Sequence, residues 1–308
     1  MTAARRTSIL YVHHRPELGG APSSLAQLIG GLDRARWEPH VFCPPGPAAG
    51  LFRDAGAVVH TGAVSGFTHI WASTYHGLRW LLLARELARL PAHVVALRRL
   101  FDAHRFALVH LNDSPLVAAA VVARRRHVPV VWHLRSALPG SESLRSRLLR
   151  RAVRRLAAIS IAINEDVAAS FRAGSEVIPN SVDLDRFTPG EPETPPTVAY
   201  VGFLYPWKGP AEYLRAAALV RARGVPARFL VVGGGVRDAA FFRTPRGRLL
   251  ARFGLARDHE AFARSLVEEL GIEGAVGFVP YTPDLVPIYR GSSVVVSPSQ
   301  GPELPRPV

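Results

Sequence analysis

One lysine, Lys208, stands among 38 basic residues in a chain of 308. A compact, flexible ammonium and a planar guanidinium are not interchangeable. A lone lysine therefore marks a site that needs a point charge, or a surface position where it was retained by chance. Its setting favours the first: Val201-Gly202-Phe-Leu-Tyr-Pro-Trp-Lys208-Gly209-Pro210 reads as a strand end, a loop and a helix start. Free backbone N–H groups and the helix dipole attract phosphate at such a place, and the ammonium suits a diphosphate. Gly19-Gly20-Ala-Pro-Ser-Ser near the N-terminus offers a second glycine turn opening into a helix, and Gly233-Gly234-Gly235 a third turn after a strand. Either close approach to a ligand or a flexible exit loop accounts for the last. His13 and His14 are adjacent, so on a strand they face opposite sides; that argues against a paired metal site and for at least one packed ring.

The elements that position these residues follow from hydrophobic pattern. Apolar runs at 8–12, 39–43, 57–60, 107–112, 129–134, 158–163 and 176–179 read as strands buried on both faces. Helical spacing marks 23–32, 75–90, 92–103, 115–126, 142–156 and 165–172, with Pro91 expected to divide an overlong helix. Alternation of this kind implies an α/β, doubly wound parallel sheet. The proline-rich stretch 188–196 reads as a linker between residues 1–187 and 197–308. After it come strands at 198–203, 228–232, 275–279 and 293–297, and helices at 210–223, 259–270 and 283–289. The expectation is two Rossmann-like domains facing each other across a cleft lined by the carboxyl ends of both sheets.

Composition bounds the rest. With 48% hydrophobic and 20% charged residues, the chain is neither disordered nor fibrous. Its single cysteine, Cys43, excludes an internal disulfide. No signal-peptide core and no run long enough to span a bilayer is present, so a cytosolic protein is expected. The net charge of +14 favours anionic partners. Nucleic acid is disfavoured because the arginines are dispersed and no binding motif accompanies them.

Five segments, in order, resemble the retaining glycosyltransferases of family four, with their GT-B fold. Gly19-Gly20-Ala-Pro-Ser-Ser-Leu25 is similar to the family's Gly-Gly loop, and Val130-Val-Trp-His133 to its histidine-bearing strand. Val177-Ile-Pro-Asn180-Ser-Val-Asp183-Leu-Asp-Arg-Phe187 resembles its "IPNGVD…F" loop. Val201-Gly-Phe-Leu-Tyr-Pro-Trp-Lys208-Gly209 resembles "VGRL…KG", and Val296-Ser-Pro-Ser-Gln-Gly-Pro-Glu303 the start of its carboxylate motif. The resemblance implies sugar transfer from a nucleotide-sugar to a sugar, polysaccharide or lipid-linked acceptor, with retention and with no cofactor or metal. It makes His133, Lys208 and Glu303 the catalytic residues. Lys208 would neutralise the leaving diphosphate, Glu303 would hold the donor sugar's hydroxyls, and His133 would reach the sugar. Gly19, Gly20, Asn180, Gly202, Gly209, Gly233 and Gly234 join the donor-binding set. The alternative for His133, at the end of a buried strand, is a satisfied core histidine. The Asp183-x-Asp185 pair, spaced as in metal-dependent transferases of another fold, reads as loop chemistry.

The sequence departs from the pattern twice. Phe203 replaces an expected arginine beside the diphosphate, and Val308 comes before the motif's second glutamate. The second domain is accordingly expected to be incomplete and the chain to be a fragment with little activity of its own. At 144–156, leucines on one side and arginines on another form a basic amphipathic helix, suited to an anionic membrane surface or to a solvated face over a core stripe. Two other functions compete with transfer: a sugar-nucleotide epimerase, and a non-catalytic module binding acceptor or membrane.

Overall fold

The computed structural model describes residues 6–66, 80–138, 143–235, 237 and 239–299. It divides the chain into two units, Met1–Ser181 and Val182–Val308. In the first, the apolar runs become β1 (Thr7–His13), β2 (Trp37–Cys43), β3 (Val58–Thr61), β4 (Leu108–Asn112), β5 (Val130–Leu134), β6 (Ile159–Ala162) and β7 (Glu176–Val177). They pair in parallel in the order β3-β2-β1-β4-β5-β6-β7. The order reverses between β1 and β4, and at such a switch point the following helices leave to opposite faces and open a crevice at the strands' carboxyl ends.

Connecting helices are α1 (Gly20–Gly30), α2 (Pro47–Asp54), α3 (Trp80–Ala103), α4 (Val117–Arg125), α5 (Leu144–Leu156) and α6 (Glu165–Phe171). Alternation along each strand feeds two cores. Leu10, Val12, Phe42, Leu111 and Trp132 pack with residues of α3, α4 and α6, while Ile9, Tyr11 and Val41 pack with α1 and α2 on the other side. Both faces of the sheet are thus covered, which is why its strands read as unbroken apolar runs.

Pro91 does not divide α3, contrary to the expected break: it lies inside one 24-residue helix. Tertiary contacts on both sides of the proline explain this. Glu86 accepts from the Gly66 amide at 3.2 Å and His93 Nδ1 from the Ser65 amide at 3.2 Å, so one short segment grips the helix before and after Pro91. Residues 75–79 of the expected helix lie outside the described residues.

The second unit contains β8 (Thr197–Val201), α7 (Pro210–Ala222), β9 (Arg228–Val232), α8 (Ala239–Arg243), α9 (Pro245–Arg252), α10 (His259–Glu269), β10 (Val276–Val279), α11 (Val286–Gly291) and β11 (Val294–Val296). Its parallel sheet has the order β10-β9-β8-β11, with a switch point between β8 and β11. Tyr213 ties the core together, donating to Val198 O at 2.8 Å, with Leu230 O at 3.1 Å. The unit begins at Val182, earlier than the expected boundary after residue 187, and the proline-rich stretch is not a free tether. Arg186 pairs with Asp284 at 2.9 Å, Arg290 donates to Thr188 Oγ1 at 2.9 Å, and the Glu193 amide donates to Gly291 O at 3.0 Å. Among the described residues, no helix is long and apolar enough to cross a membrane.

Candidate functional site

In the second unit three loops gather at the carboxyl ends of neighbouring strands β11, β8 and β9. Past β8, Pro206–Lys208 forms a single 3-10 turn, and Gly209 in the left-handed region (φ 76°, ψ 30°) starts α7. A Cβ on Gly209 would strike the carbonyl of Pro298, so the lysine loop lies directly against the loop after β11. Ser299 Oγ donates to Trp207 O at 3.2 Å and fastens the two. On the other side, Gly233 (φ 127°) has no room for a side chain because its Cβ would meet the Gly202 carbonyl. The Gly202 amide donates to Val232 O at 2.9 Å, and the Leu204 amide to Gly234 O at 3.3 Å. Gly202, Lys208, Gly209, Gly233 and Gly234 are therefore brought together at the switch point, with Lys208 two residues ahead of the first residue of α7. Tyr205 and Trp207 stack at 4.4 Å and 8° beside the lysine, and Tyr205 meets His259 edge-on at 5.3 Å. Phe203, where an arginine was expected, accepts at its carbonyl from Tyr200 Oη at 2.7 Å. Glu303 lies outside the described residues.

In the first unit, register places His13, Asn112 and His133 in one row across β1, β4 and β5, at the carboxyl edge. In-register neighbours point to the same face, and hydrogen bonds knit the row. Arg135, two residues past His133, donates Nε to Asn112 Oδ1, Nη1 to Asn180 Oδ1 at 3.0 Å and Nη2 to His133 Nδ1 at 3.3 Å. Ser24 of α1 donates to the same Asn180 oxygen at 3.0 Å. Asn112 Nδ2 faces Ala21 O at 3.2 Å and His13 Nδ1 at 3.0 Å.

These partners fix the protons. Arginine only donates and a carbonyl only accepts, so the Asn112 amide has one possible orientation, and Nδ1 of both His13 and His133 must accept. Each ring then carries its proton on Nε2. His133, only 6% exposed, is built to donate a hydrogen bond from Nε2. Burial, reinforced by Arg135 and Arg15, pushes His13 down to about 3, and burial with Arg135 does the same to His110. Arg135 is thus the fixed positive charge beside two buried imidazoles, His13 and His110, that stay neutral. Asp113, just beyond Asn112, holds a left-handed φ of 100°. Its carboxylate accepts from the Ser114 amide at 2.7 Å and the Arg135 amide at 3.2 Å. A non-glycine residue held there costs on the order of 1–3 kcal/mol, and such strain clusters where geometry matters.

Gly19 and Gly20 begin α1 beside this row, and Gly19 O accepts from the Ser23 amide at 3.1 Å. His133 and Asn180 are joined through Arg135, which sequence reasoning passed over together with Asn112, Asp113 and Ser24. One signal was available: Arg135 follows an apolar strand by a single residue, at the end where parallel sheets bind ligands. Both His13 and His14 are buried, so both rings are packed where at least one was expected to be.

The family model for Glycosyltransferase Family 4 matches residues 18–186, and that for Glycosyl transferases group 1 matches residues 181–305. Among curated proteins, the D-inositol 3-phosphate glycosyltransferase of Nocardia farcinica is 35% identical over 138 residues, covering 40% of this chain and 27% of the relative. The chain thus spans about a quarter of the length of that relative. Among solved structures, Anabaena HepE in complex with UDP and glucose superposes with a TM-score of 0.67 at 18% identity, over 97% of this chain and 76% of that one. A Listeria monocytogenes protein described as a UDP-N-acetylglucosamine 2-epimerase does so with a TM-score of 0.54 at 8% identity, over 94% and 74%. Fold alone therefore does not separate transferase from epimerase. Sequence shows the family: one family model accounts for more than half of the residues, with the Gly19-Gly20 loop and the His133 strand inside it, and the chain belongs to glycosyltransferase family 4.

Proposed function

We propose that the protein moves a sugar from a nucleotide-sugar to an acceptor hydroxyl, with retention of configuration and without a metal. The observation carrying this reading is the meeting of the Lys208 turn, the Gly233-Gly234 turn and the Ser299 loop at the switch point of the second unit. As the bond from the sugar to the diphosphate breaks, charge grows on the leaving oxygen. A fixed ammonium at the start of a helix stabilises that charge more than it stabilises the ground state. Gly202, Gly209, Gly233 and Gly234 let the backbone approach the donor, and Glu303 holds the sugar hydroxyls. His133 donates from Nε2 to the sugar, and the Gly19 and Gly20 amides meet phosphate. Asn180 keeps Arg135 in place.

The acceptor is a sugar or a lipid-linked saccharide. The relatives are named for D-inositol 3-phosphate, so a phosphorylated polyol is a further acceptor class. Contact with an anionic membrane is supported by α5, where Leu144 and Leu148 are 64% and 58% exposed among arginines. The test is incubation with a panel of nucleotide-sugars and acceptors, following release of nucleoside diphosphate and the anomeric configuration of the product by NMR. Release tied to a product of retained configuration supports the proposal. Epimerised donor without transfer, or an inverted product, refutes it.

A further inference from the structure

A second cluster lies on the opposite face of the first sheet. His40 is in register with Leu10, so it points away from the His13–Asn112–His133 row. His60 sits two residues past Val58, the register partner of His40, and so shares its face. His104 directly follows α3, its amide bound to Leu100 O at 2.9 Å. One ring nitrogen from each of the three lies within 4.8 Å of the others. His40 Nδ1 and His60 Nε2 are 3.0 Å apart, and their rings stack at 5.3 Å and 7°. The His104 ring stands 4.8 Å from His40 and 5.4 Å from His60. Behind His40, Glu38 Oε2 is 3.4 Å from Nε2, while Glu38 itself accepts from Ser8 Oγ at 3.0 Å and Arg6 at 3.1 Å.

We propose that His40, His60 and His104 bind one divalent transition-metal ion of the zinc class, which clamps β2, β3 and the end of α3 together. Tetrahedral zinc with Zn–N bonds of about 2.0–2.1 Å places its ligand nitrogens about 3.3 Å apart. The His40–His60 pair is already near that spacing. The longest separation, which involves His104, closes by rotation of that half-buried ring. Three imidazoles select zinc, cobalt, nickel or copper over magnesium or calcium. Glu38 completes the pattern: a carboxylate on the far nitrogen of a ligating histidine fixes its tautomer and raises its basicity. With Nε2–H directed to Glu38, His40 presents Nδ1 to the ion. Water takes the fourth position. The site is three strand spacings across the sheet and three residues along it from His133, about 17 Å, and on the other face, so its role is structural and independent of sugar transfer. Histidines 20 and 44 residues apart form no motif; only the β2–β3 register and the length of α3 bring them together.

The test uses the full chain, without a histidine tag and treated with chelator, titrated calorimetrically with ZnCl2, CoCl2 and MgCl2. One Zn2+ or Co2+ per chain is expected, with the visible d–d absorption of nitrogen-bound Co2+, a higher melting temperature in zinc, and no response to Mg2+. His60→Ala and His104→Ala each lower the affinity at least tenfold. Glu38→Gln lowers it about tenfold. Circular dichroism of the metal-free variants confirms that they fold. Absence of stoichiometric binding by the unaltered chain overturns the proposal, and so does zinc binding unchanged by both histidine variants.

Discussion

Two residues, one in each unit, are tightly constrained by what lies next to them. His133 Nδ1 is occupied by Arg135, so the ring acts as a donor through Nε2 and not as a base. His133→Gln, which places an N–H near the same point, is expected to keep kcat/KM within about threefold, whereas His133→Ala loses about tenfold, the worth of one hydrogen bond. Loss in both to the same extent would show that the imidazole does something other than donate. Gly209 is constrained more severely, since its left-handed φ and the Pro298 carbonyl both exclude a side chain. Gly209→Ala is expected to destabilise the second unit by about 1–3 kcal/mol, read as a lower urea midpoint with unchanged m. The importance of Gly209 was legible in the sequence because it sits beside the sole lysine. That of Arg135 was not: its partners come from residues 112, 113, 133 and 180, and only the strand order of the sheet brings them together.

At the scale of elements, the strands were legible and several helices were not. A parallel strand buried on both faces is a short apolar run whatever its neighbours, so β1 to β6 stand within one or two residues of their expected places. The helices α2, α8 and α9 are short, and one or two turns of amphipathic pattern do not stand out from a loop. Pro91 misled because its cost is offset by contacts more distant in sequence. The helix α5 is amphipathic, as its pattern said, but rotated. Ser146, Arg150 and Val153 face inward, with Arg150 Nε on Ser170 O at 2.9 Å, and Leu144 and Leu148 face solvent. Co-sedimentation with vesicles containing anionic lipid is expected for the unaltered chain and to fall severalfold for Leu144→Ser with Leu148→Ser. Equal sedimentation would remove α5 as a membrane contact. Buried histidines of the first unit also set its pH response. His13 and His110 titrate at about 3 and His93 at about 4 when folded, against 6.5 unfolded. The unfolded chain takes up these protons first, so their contribution is complete above about pH 6.5 and is lost as pH falls toward 4. Each ring accounts for about 1.4 kcal/mol per pH unit in that window. Melting temperature measured from pH 7 to pH 4 should fall steeply, and a flat profile would contradict the burial of these rings.

For the whole molecule, the pattern of strands, the glycine turns and the lone lysine led from sequence to an α/β chain of two parallel sheets in family four. What the pattern could not give was where each unit keeps its polar groups, since a switch point is a property of strand order and not of any one segment. Both units place their glycine loops at such a point, and the second also places its lysine there. The central claim is that this second crevice binds a nucleoside diphosphate through Lys208. The direct measurement is calorimetric titration of UDP, GDP and ADP into the unaltered chain and into Lys208→Ala and Lys208→Arg. The account predicts saturable binding of at least one of them by the unaltered chain. It also predicts about 10- to 100-fold weaker binding by Lys208→Ala, the loss of a charge-assisted contact, and incomplete recovery in Lys208→Arg, whose planar fork does not replace a point charge. Equal affinity in all three proteins would contradict it.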